Sequence, residues 1–257
     1  MPYHPGFKWD QHAGLNSAFQ SRPNATTLTS LRLENSLIDS NTLAELLSAT
    51  PNLQSLYYEF SPPFKSLTVI ERWQNPAPEP WRFDFHALAL ALHQVPTLQE
   101  LCITINWHAN FTGPRESMLE ISSEFSSLAP LTRLRKLAIQ YELLLGTGPS
   151  VHSTCLESLP WSLESLAILY SFDTDHQLGE DWKFAEYMDK IRLFSENRGD
   201  GKSKLKEVLL EPIFEFIDSD TPDEDFEEAL EGWQYLGKRN RVRCVEADPF
   251  DWDDWIS

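Results

Sequence analysis

The sequence predicts an α/β solenoid in which short parallel strands alternate with helices, and three observations predict it. A six-residue phrase recurs seven times along the 257 residues. Amphipathic helical segments lie between most copies, and a proline or a turn precedes most of the next copies. Parallel strands joined by helices on one side form a curved sheet, with the strands on the concave side and the helices on the convex side.

The recurring phrase has an aliphatic residue, two variable residues, a second aliphatic residue, one variable residue and a third apolar residue. Its copies are LTSLRL from Leu28, LQSLYY from Leu53, LQELCI from Leu98, LRKLAI from Leu134, LESLAI from Leu163, LKEVLL from Leu205 and VRCVEA from Val242. They start 25, 45, 36, 29, 42 and 37 residues apart, whereas a leucine-rich repeat runs roughly 20 to 29 residues. The phrase therefore predicts irregular leucine-rich repeats with insertions or long helices.

Each phrase has the pattern of a strand entered from a turn. Its last two apolar residues are two apart and so point to one face of the sheet, while the residue between them points to the other face. Helices are predicted over residues 41–49, 84–95, 121–128, 182–197 and 222–236 from apolar residues at helical spacing. Ser40 or Asn41 is the expected N-cap of the first helix.

The whole chain, residues 1–257, is predicted to be a single leucine-rich-repeat domain. Residues 1–24 are expected to form an N-terminal cap, and residues 61–83, with five prolines, a surface insertion. Residues 141–160 are expected to be a loop with at most one helical turn. Residues 248–257 form an acidic aromatic C-terminal tail that is expected to cap the last strand or to bind a partner.

Composition excludes several classes of function. The net charge of -18 argues against nucleic acid and anionic membranes as partners. The sequence has no apolar run long enough for a transmembrane helix, and we expect no secretory leader. Three scattered cysteines, Cys102, Cys155 and Cys244, do not form a disulfide or zinc pattern, which indicates a reducing compartment. We therefore expect a cytoplasmic or nuclear protein.

Motifs that carry chemistry are weak in this sequence. Gly201-Lys202-Ser203 lacks the first glycine of a P-loop. His86 and His93 are seven residues apart, whereas a zinc pair on a helix is four apart. Asp173, Asp175 and His176 could bind a metal ion but fit a solvated turn better. We expect no catalytic, cofactor or metal site; an enzyme or small-molecule binder grafted onto the repeats remains the alternative.

The predicted sheet offers a binding surface through the columns of side chains on its concave face. The central column is Arg32, Tyr57, Cys102, Ala138, Ala167, Leu209 and Glu246, and the next is Glu34, Glu59, Thr104, Gln140, Leu169, Glu211 and Asp248. An apolar centre with a charged rim is typical of a partner site, but the same centre could lie under a loop or the C-terminal tail. If the centre is a free surface, replacing Ala167 and Leu209 by Arg should abolish binding without unfolding.

A second candidate surface is acidic. Residues 211–230 hold nine acidic side chains and no basic one, which could attract a basic partner. A solvated loop and helix start is the alternative explanation.

The phrases TPNLQSLYY, VPTLQELCI and WSLESLAIL resemble the repeat domains of fungal F-box and leucine-rich-repeat proteins, over about residues 15–250. In that family an F-box docks onto a cullin ubiquitin ligase through an adaptor, and the repeats select a substrate. The resemblance implies a protein-binding module, either a ubiquitin-ligase substrate receptor or a repeat-only relative. The 27 residues before Leu28 are too few for an F-box, so the adaptor is expected only if an F-box is present elsewhere in the full-length protein.

Overall fold

The structure is a computed structural model that describes residues 25–61, 81–105, 119–122, 127–140, 143–144, 154–169, 190–191, 193–194, 197–198, 204–210 and 243–246. Its strands are β1 (Ser30–Ser36), β2 (Ser55–Phe60), β3 (Trp81–Asp84), β4 (Glu100–Ile105), β5 (Leu119–Ser122), β6 (Lys136–Gln140), β7 (Ser165–Leu169), β8 (Glu207–Leu210) and β9 (Arg243–Glu246). Its helices are α1 (Ser40–Ser48), α2 (Phe85–Leu92) and α3 (Thr154–Glu157). The fold is of the mixed α/β class.

The main sheet has seven strands in the order β1-β2-β4-β6-β7-β8-β9, and every neighbouring pair is parallel. The strands therefore follow one another across the sheet as they do along the chain. The second leucine of each phrase lies beside its counterpart, as Leu56 lies beside Leu101 and Leu137 beside Leu166. The phrase thus fixes the register of the sheet as well as the position of each strand.

A regular backbone ladder connects the phrases. The residue after the first leucine of a phrase offers its carbonyl oxygen to two backbone N–H groups of the next phrase. The Gln54 carbonyl accepts from Gln99 at 2.7 Å and from Glu100 at 3.0 Å. The carbonyls of Thr29, Gln99, Arg135 and Glu164 do the same for the phrase that follows each of them.

The residue before the first leucine adds a side-chain bond between neighbouring phrases. Asn52 donates to the Thr26 carbonyl at 2.8 Å, Thr97 to the Leu53 carbonyl at 2.7 Å, and Ser162 to the Leu134 carbonyl at 2.7 Å. A small polar residue at this point satisfies a backbone carbonyl that the turn leaves unpaired. Each turn is thereby tied to the strand beside it.

The hydrophobic core lies between the sheet and the helices. All three apolar residues of the phrases that begin at Leu53, Leu98, Leu134 and Leu163 are at most 2% exposed. They pack with Leu43 and Leu47 of α1 and with Phe85, Leu88 and Leu92 of α2. We call this side of the sheet the helix face and the other side the opposite face.

Both longer helices begin at an aspartate. The Asp39 carboxylate accepts from the Thr42 N–H at 2.7 Å, and the Asp84 carboxylate accepts from the Ala87 N–H at 2.9 Å. A carboxylate in this position satisfies an N–H that the first turn leaves without a partner. The expected N-cap at Ser40 or Asn41 is therefore wrong; the Ser40 hydroxyl instead donates to the Asp84 carbonyl at 3.0 Å and links the two helix starts.

A second sheet was not predicted from the sequence. β3 and β5 form a parallel pair with Trp81 beside Leu119 and Asp84 beside Ser122. The helix predicted over residues 121–128 is therefore wrong at both described ends, because Ile121 and Ser122 are in a strand and residues 127 and 128 are not helical. β3 also begins inside the segment predicted as an insertion, of which residues 62–80 lie outside the described residues.

In the predicted helix 182–197, residues 190, 191, 193, 194 and 197 are helical, which agrees with the prediction where the structure describes it. Within 141–160, α3 forms a single turn, but residues 143 and 144 are helical as well, so the segment contains more helix than the one turn expected. The N-terminal cap 1–24, the helix 222–236 and the tail 248–257 lie outside the described residues.

Arg198 is a buried charged residue that the sequence analysis missed. Its guanidinium donates to the carbonyls of Pro160, at 3.0 Å, and Leu159, and it lies 4.3 Å from the ring centre of Trp161. Burial lowers the pKa of the guanidinium, and the two carbonyls and the aromatic ring offset part of the cost of desolvating it. The available signal was its spacing, since Arg198 continues the apolar stripe of Ile191 and Phe194 at helical intervals.

Candidate functional site

The opposite face carries the predicted columns of side chains. Arg32, Tyr57, Cys102, Ala138, Ala167 and Leu209 lie side by side on six neighbouring strands. The seventh member differs, because Val245 and not Glu246 lies beside Leu209. The alignment predicted for the last phrase is therefore wrong by one residue: it lies one residue too far along the chain, since Cys244 and not Val245 aligns with Val208.

The second predicted column is only partly continuous. Thr104 lies beside Glu59, and Leu169 lies beside Gln140. On β1 the register shifts between Leu33 and Ser36, and Asn35 there adopts a positive φ of 46°. An irregularity of this kind marks a bulge. Glu211 and Asp248 lie outside the described residues, as does the whole acidic segment 211–230.

The centre of the opposite face is a small apolar cluster. Cys102, Ala138, Ala167 and Leu169 are at most 6% exposed, and Tyr57 and Leu209 pack against them while half-buried. A charged side chain at Ala167 would have to displace this packing and would lose its hydration. The burial of Ala167 therefore argues against the expectation that an arginine at this position leaves the fold intact.

Gln140 is one of the predicted contact residues, and its side chain has a clear structural partner. Its amide oxygen accepts from the Ile105 N–H at 2.7 Å, and its amide nitrogen donates to the Ile105 carbonyl at 3.0 Å. The side chain of Gln140 thus pairs with the end of β4 in the way that another strand would. Both groups are buried, so these bonds stabilise the sheet.

Four side chains form a connected network on the opposite face of β1 and β2. We call this network the Tyr57 network. The Arg32 guanidinium lies 4.8 Å from the Tyr57 ring centre and pairs with Glu34. The Tyr57 hydroxyl donates to the Glu59 carboxylate at 3.2 Å. Burial, with contributions from Cys102 and Glu59, raises the pKa of the Tyr57 phenol, so it stays protonated and able to donate.

The Tyr57 network is the more accessible part of the predicted columns. Arg32 and Glu34 are exposed, and Tyr57 and Glu59 are half-buried. The half-buried Thr104 lies beside Glu59. The sequence placed these residues in two columns, but it could not show which part of the columns is open.

Charged side chains also line the start of the strands. One carboxylate oxygen of Glu164 accepts a hydrogen bond from the Arg135 guanidinium at 2.7 Å, and the other accepts from the Lys206 ammonium. The Arg135 and Lys206 hydrogen bonds lower the pKa of the Glu164 carboxyl to about 2. Opposite charges on adjacent strands support the register of β6, β7 and β8.

We expect Glu164→Gln to lower the free energy of unfolding at pH 7 by less than about 1 kcal/mol, since the site is near the surface. The folded-state pKa is below the ordinary value of 4.5, so the wild-type carboxylate stabilises the fold above that value and loses this effect as the pH falls towards about 2. Urea unfolding of the wild type and the variant at pH 7, 4, 3 and 2 measures the difference in their free energies of unfolding. A difference that stays constant over this pH range would contradict the pairing of Glu164 with Arg135 and Lys206.

The candidate chemical motifs have few structural counterparts. The His93 ring nitrogen Nε2 lies 2.8 Å from the Ser127 carbonyl, and His86 is exposed. Cys102 is buried and forms no disulfide. The parts of the chain that the structure describes contain no group of three potential metal ligands and no helix able to span a membrane. Asp173, Asp175, His176 and Gly201–Ser203 lie outside the described residues.

No protein-family model matches the chain, and no curated protein sequence matches it significantly.

Proposed function

We propose that this chain is a leucine-rich-repeat solenoid that binds another protein through the opposite face of its sheet. In this proposal the opposite face is the concave side, and α1 and α2 lie on the convex side. The consecutive in-register strands support it, because a repeat fold stacks one similar unit on the next and presents one side chain of each unit in every column.

The observation that carries the proposal is the Tyr57 network. Tyrosine and arginine, with tryptophan, are enriched among the residues that dominate binding energy in protein interfaces. Here each is held in place by its neighbours, Tyr57 by Glu59 and Arg32 by Glu34. Side chains that are already ordered lose less conformational entropy when a partner binds.

The kind of partner follows from the same residues. The Tyr57 ring offers an apolar surface, and Glu59 next to it offers a carboxylate. A protein segment with an apolar side chain beside a lysine or arginine fits both. Such a segment is also attracted by the net charge of -18.

The biological context that we propose is substrate selection for ubiquitin ligation. The phrases that resemble fungal F-box and leucine-rich-repeat proteins support it. The chain would then be the substrate-recognition domain of such a receptor or a repeat-only relative that binds its partner without a ligase.

Quantitative affinity capture from the native cell tests the proposal. Three baits are compared. They are the wild-type chain, the Tyr57 variant, which carries Tyr57→Ala and Glu59→Arg, and a control variant, which carries Glu45→Arg and Leu90→Ala. The control changes one exposed glutamate and one exposed leucine on α1 and α2, so it matches the charge change on the helix face. Circular dichroism first establishes that all three baits are folded.

We expect the captured amount of at least one protein to be about tenfold lower with the Tyr57 variant than with the wild-type chain. The captured amount of the same protein should be unchanged with the control variant. The cullin adaptor among the captured proteins would support the receptor context. Capture profiles that are the same for all three baits would contradict binding through the opposite face.

A further inference from the structure

Trp161 is a large apolar side chain that remains exposed although its neighbours hold it in place. It lies in the turn before β7 and is 52% exposed. The buried Arg198 guanidinium lies over its ring, 4.3 Å from the ring centre. Arg198 is itself fixed by hydrogen bonds to the Leu159 and Pro160 carbonyls and lies 5.2 Å from the Phe194 ring centre. The exposed part of the indole is therefore held in one orientation.

Basic side chains flank this turn on both neighbouring strands. β7 lies between β6 and β8 in the sheet. The residue before the first leucine of the phrase is Arg133 on the β6 side and Lys204 on the β8 side. Both are exposed, and neither has a hydrogen bond or an ion pair within the described residues. Since adjacent strands are about 4.8 Å apart, the backbones of these two residues are about 10 Å apart, with the turn of Trp161 between them.

The acidic residue nearest in sequence to this turn does not neutralise the two cations. Both carboxylate oxygens of Glu164 are already occupied, one by Arg135 and the other by Lys206. Solvent-exposed charges more than about 10 Å apart are largely screened at about 0.1 M salt. The positive charges of Arg133 and Lys204 therefore dominate close to Trp161, although the net charge of the chain is -18. An anionic partner is favoured here, whereas a basic partner is favoured by the chain as a whole.

We propose that the turn before β7 is a docking site for an acidic segment of another protein. Trp161 is the apolar anchor of this site, and Arg133 and Lys204 each bind one carboxylate of the segment. Tryptophan and arginine are enriched among the residues that dominate binding energy in interfaces, and an indole that is already ordered loses little conformational entropy on binding. The inference does not depend on the proposed function, because it uses the edge at which the strands begin and not the opposite face.

The spacing of the three side chains specifies the pattern of the segment. In an extended segment, side chains two residues apart point to the same side and are about 7 Å apart. An apolar residue with an acidic residue two positions to either side therefore presents all three side chains to the turn. Its carboxylates start about 13 Å apart, and the long, flexible side chains of Arg133 and Lys204 bridge the small difference in spacing. The Trp161 indole N–H, which has no hydrogen-bond partner within the described residues, can donate to the segment.

Fluorescence anisotropy with two labelled synthetic peptides tests the proposal. The first peptide carries phenylalanine at its centre, aspartate two residues to either side, and glycine or serine elsewhere; the second has asparagine in place of aspartate. We expect the wild-type chain to bind the aspartate peptide with a dissociation constant below about 1 mM. It should bind the asparagine peptide at least about tenfold more weakly. Arg133→Glu and Lys204→Glu should each weaken binding of the aspartate peptide at least about fivefold, and Trp161→Ala at least about tenfold.

The control variant carries Gln54→Glu and Gln94→Glu, and it should bind the aspartate peptide as the wild type does. Both glutamines are exposed, and together these changes alter the net charge as much as Arg133→Glu or Lys204→Glu does. Trp161→Ala also removes a contact of Arg198, so each variant must first give the wild-type circular dichroism spectrum; the two charge reversals test the site without touching Arg198.

Three results would each overturn the proposal. The first is no binding of the aspartate peptide to the wild-type chain up to about 1 mM. The second is equal affinity of the wild-type chain for the two peptides. The third is an affinity for the aspartate peptide that is the same in the control variant and in the folded variants at Arg133, Lys204 or Trp161.

Discussion

Replacing Leu137 by alanine is expected to lower the free energy of unfolding by about 3 kcal/mol, since it deletes a fully buried side chain and leaves a cavity. Leu137 is the second leucine of its phrase, and its neighbours Leu101 and Leu166 occupy the same position on β4 and β7. All three are fully buried. Urea unfolding followed by circular dichroism measures the loss.

The matched control is Leu31→Ala, which makes the same change at the same position of the first described phrase. Leu31 is partly buried, so we expect a loss of only about 1 kcal/mol. Both variants should be compared at the same protein concentration. Equal losses would contradict the end position of β1 in the sheet.

Gln140→Leu is expected to lower the free energy of unfolding by about 3 kcal/mol through a different mechanism. The substitution keeps the size of the side chain but leaves the N–H and the carbonyl of Ile105 without partners in a buried site. An unsatisfied buried polar group costs about 1–3 kcal/mol. Urea unfolding measures the change, and hydrogen exchange at the Ile105 amide should become faster.

Gln54→Leu is the control for this prediction. Gln54 is exposed, so the same change in chemistry should alter stability by less than about 0.5 kcal/mol. A loss at Gln140 no larger than that at Gln54, or an unchanged exchange rate at Ile105, would contradict the role of the Gln140 amide.

The regular part of the fold could be predicted because the phrase specifies it directly. Leu56, Leu101 and Leu137 recur at one position of the phrase, and the structure aligns them in neighbouring strands. Alternation along a strand then assigns Tyr57 and Ala138 to the other face. No three-dimensional information was needed for these steps.

The parts that were missed depend on contacts between distant residues. β3 and β5 are short strands that are paired with each other and not with the main sheet, and no pattern within either segment indicates its partner. Asp39, Ser40 and Asn41 are all residue types that cap helices well, and only the backbone geometry distinguishes Asp39 as the N-cap. In VRCVEA the alternation permits two alignments one residue apart, and the partner strand selects Cys244.

The sequence predicts the two columns of the candidate site, but it does not predict which of their side chains are buried. Ala138 and Ala167 are small enough to be expected on an open face, yet they are at most 1% exposed. Burial depends on what packs above the sheet, which the phrase does not encode. The Tyr57 network likewise depends on the side-chain geometry of two strands, which the sequence gives only as neighbouring positions.

The in-register stacking of the strands is the basis of every column described above, and a single cross-link tests it. Cys102 and Ala138 lie directly beside each other on β4 and β6, and Ala167 is one strand further. Adjacent strands are about 4.8 Å apart, within the Cα separation of about 4.4–6.8 Å that a disulfide requires, whereas two strand spacings exceed it.

The measurement is disulfide mapping by mass spectrometry after refolding Ala138→Cys and, separately, Ala167→Cys in a glutathione redox buffer. Both alanines are equally buried, so access to the oxidant is matched. The stacked register predicts a bond between Cys102 and the new cysteine at position 138 and none to the one at position 167. A bond from Cys102 to position 167, or no bond to position 138, would contradict it.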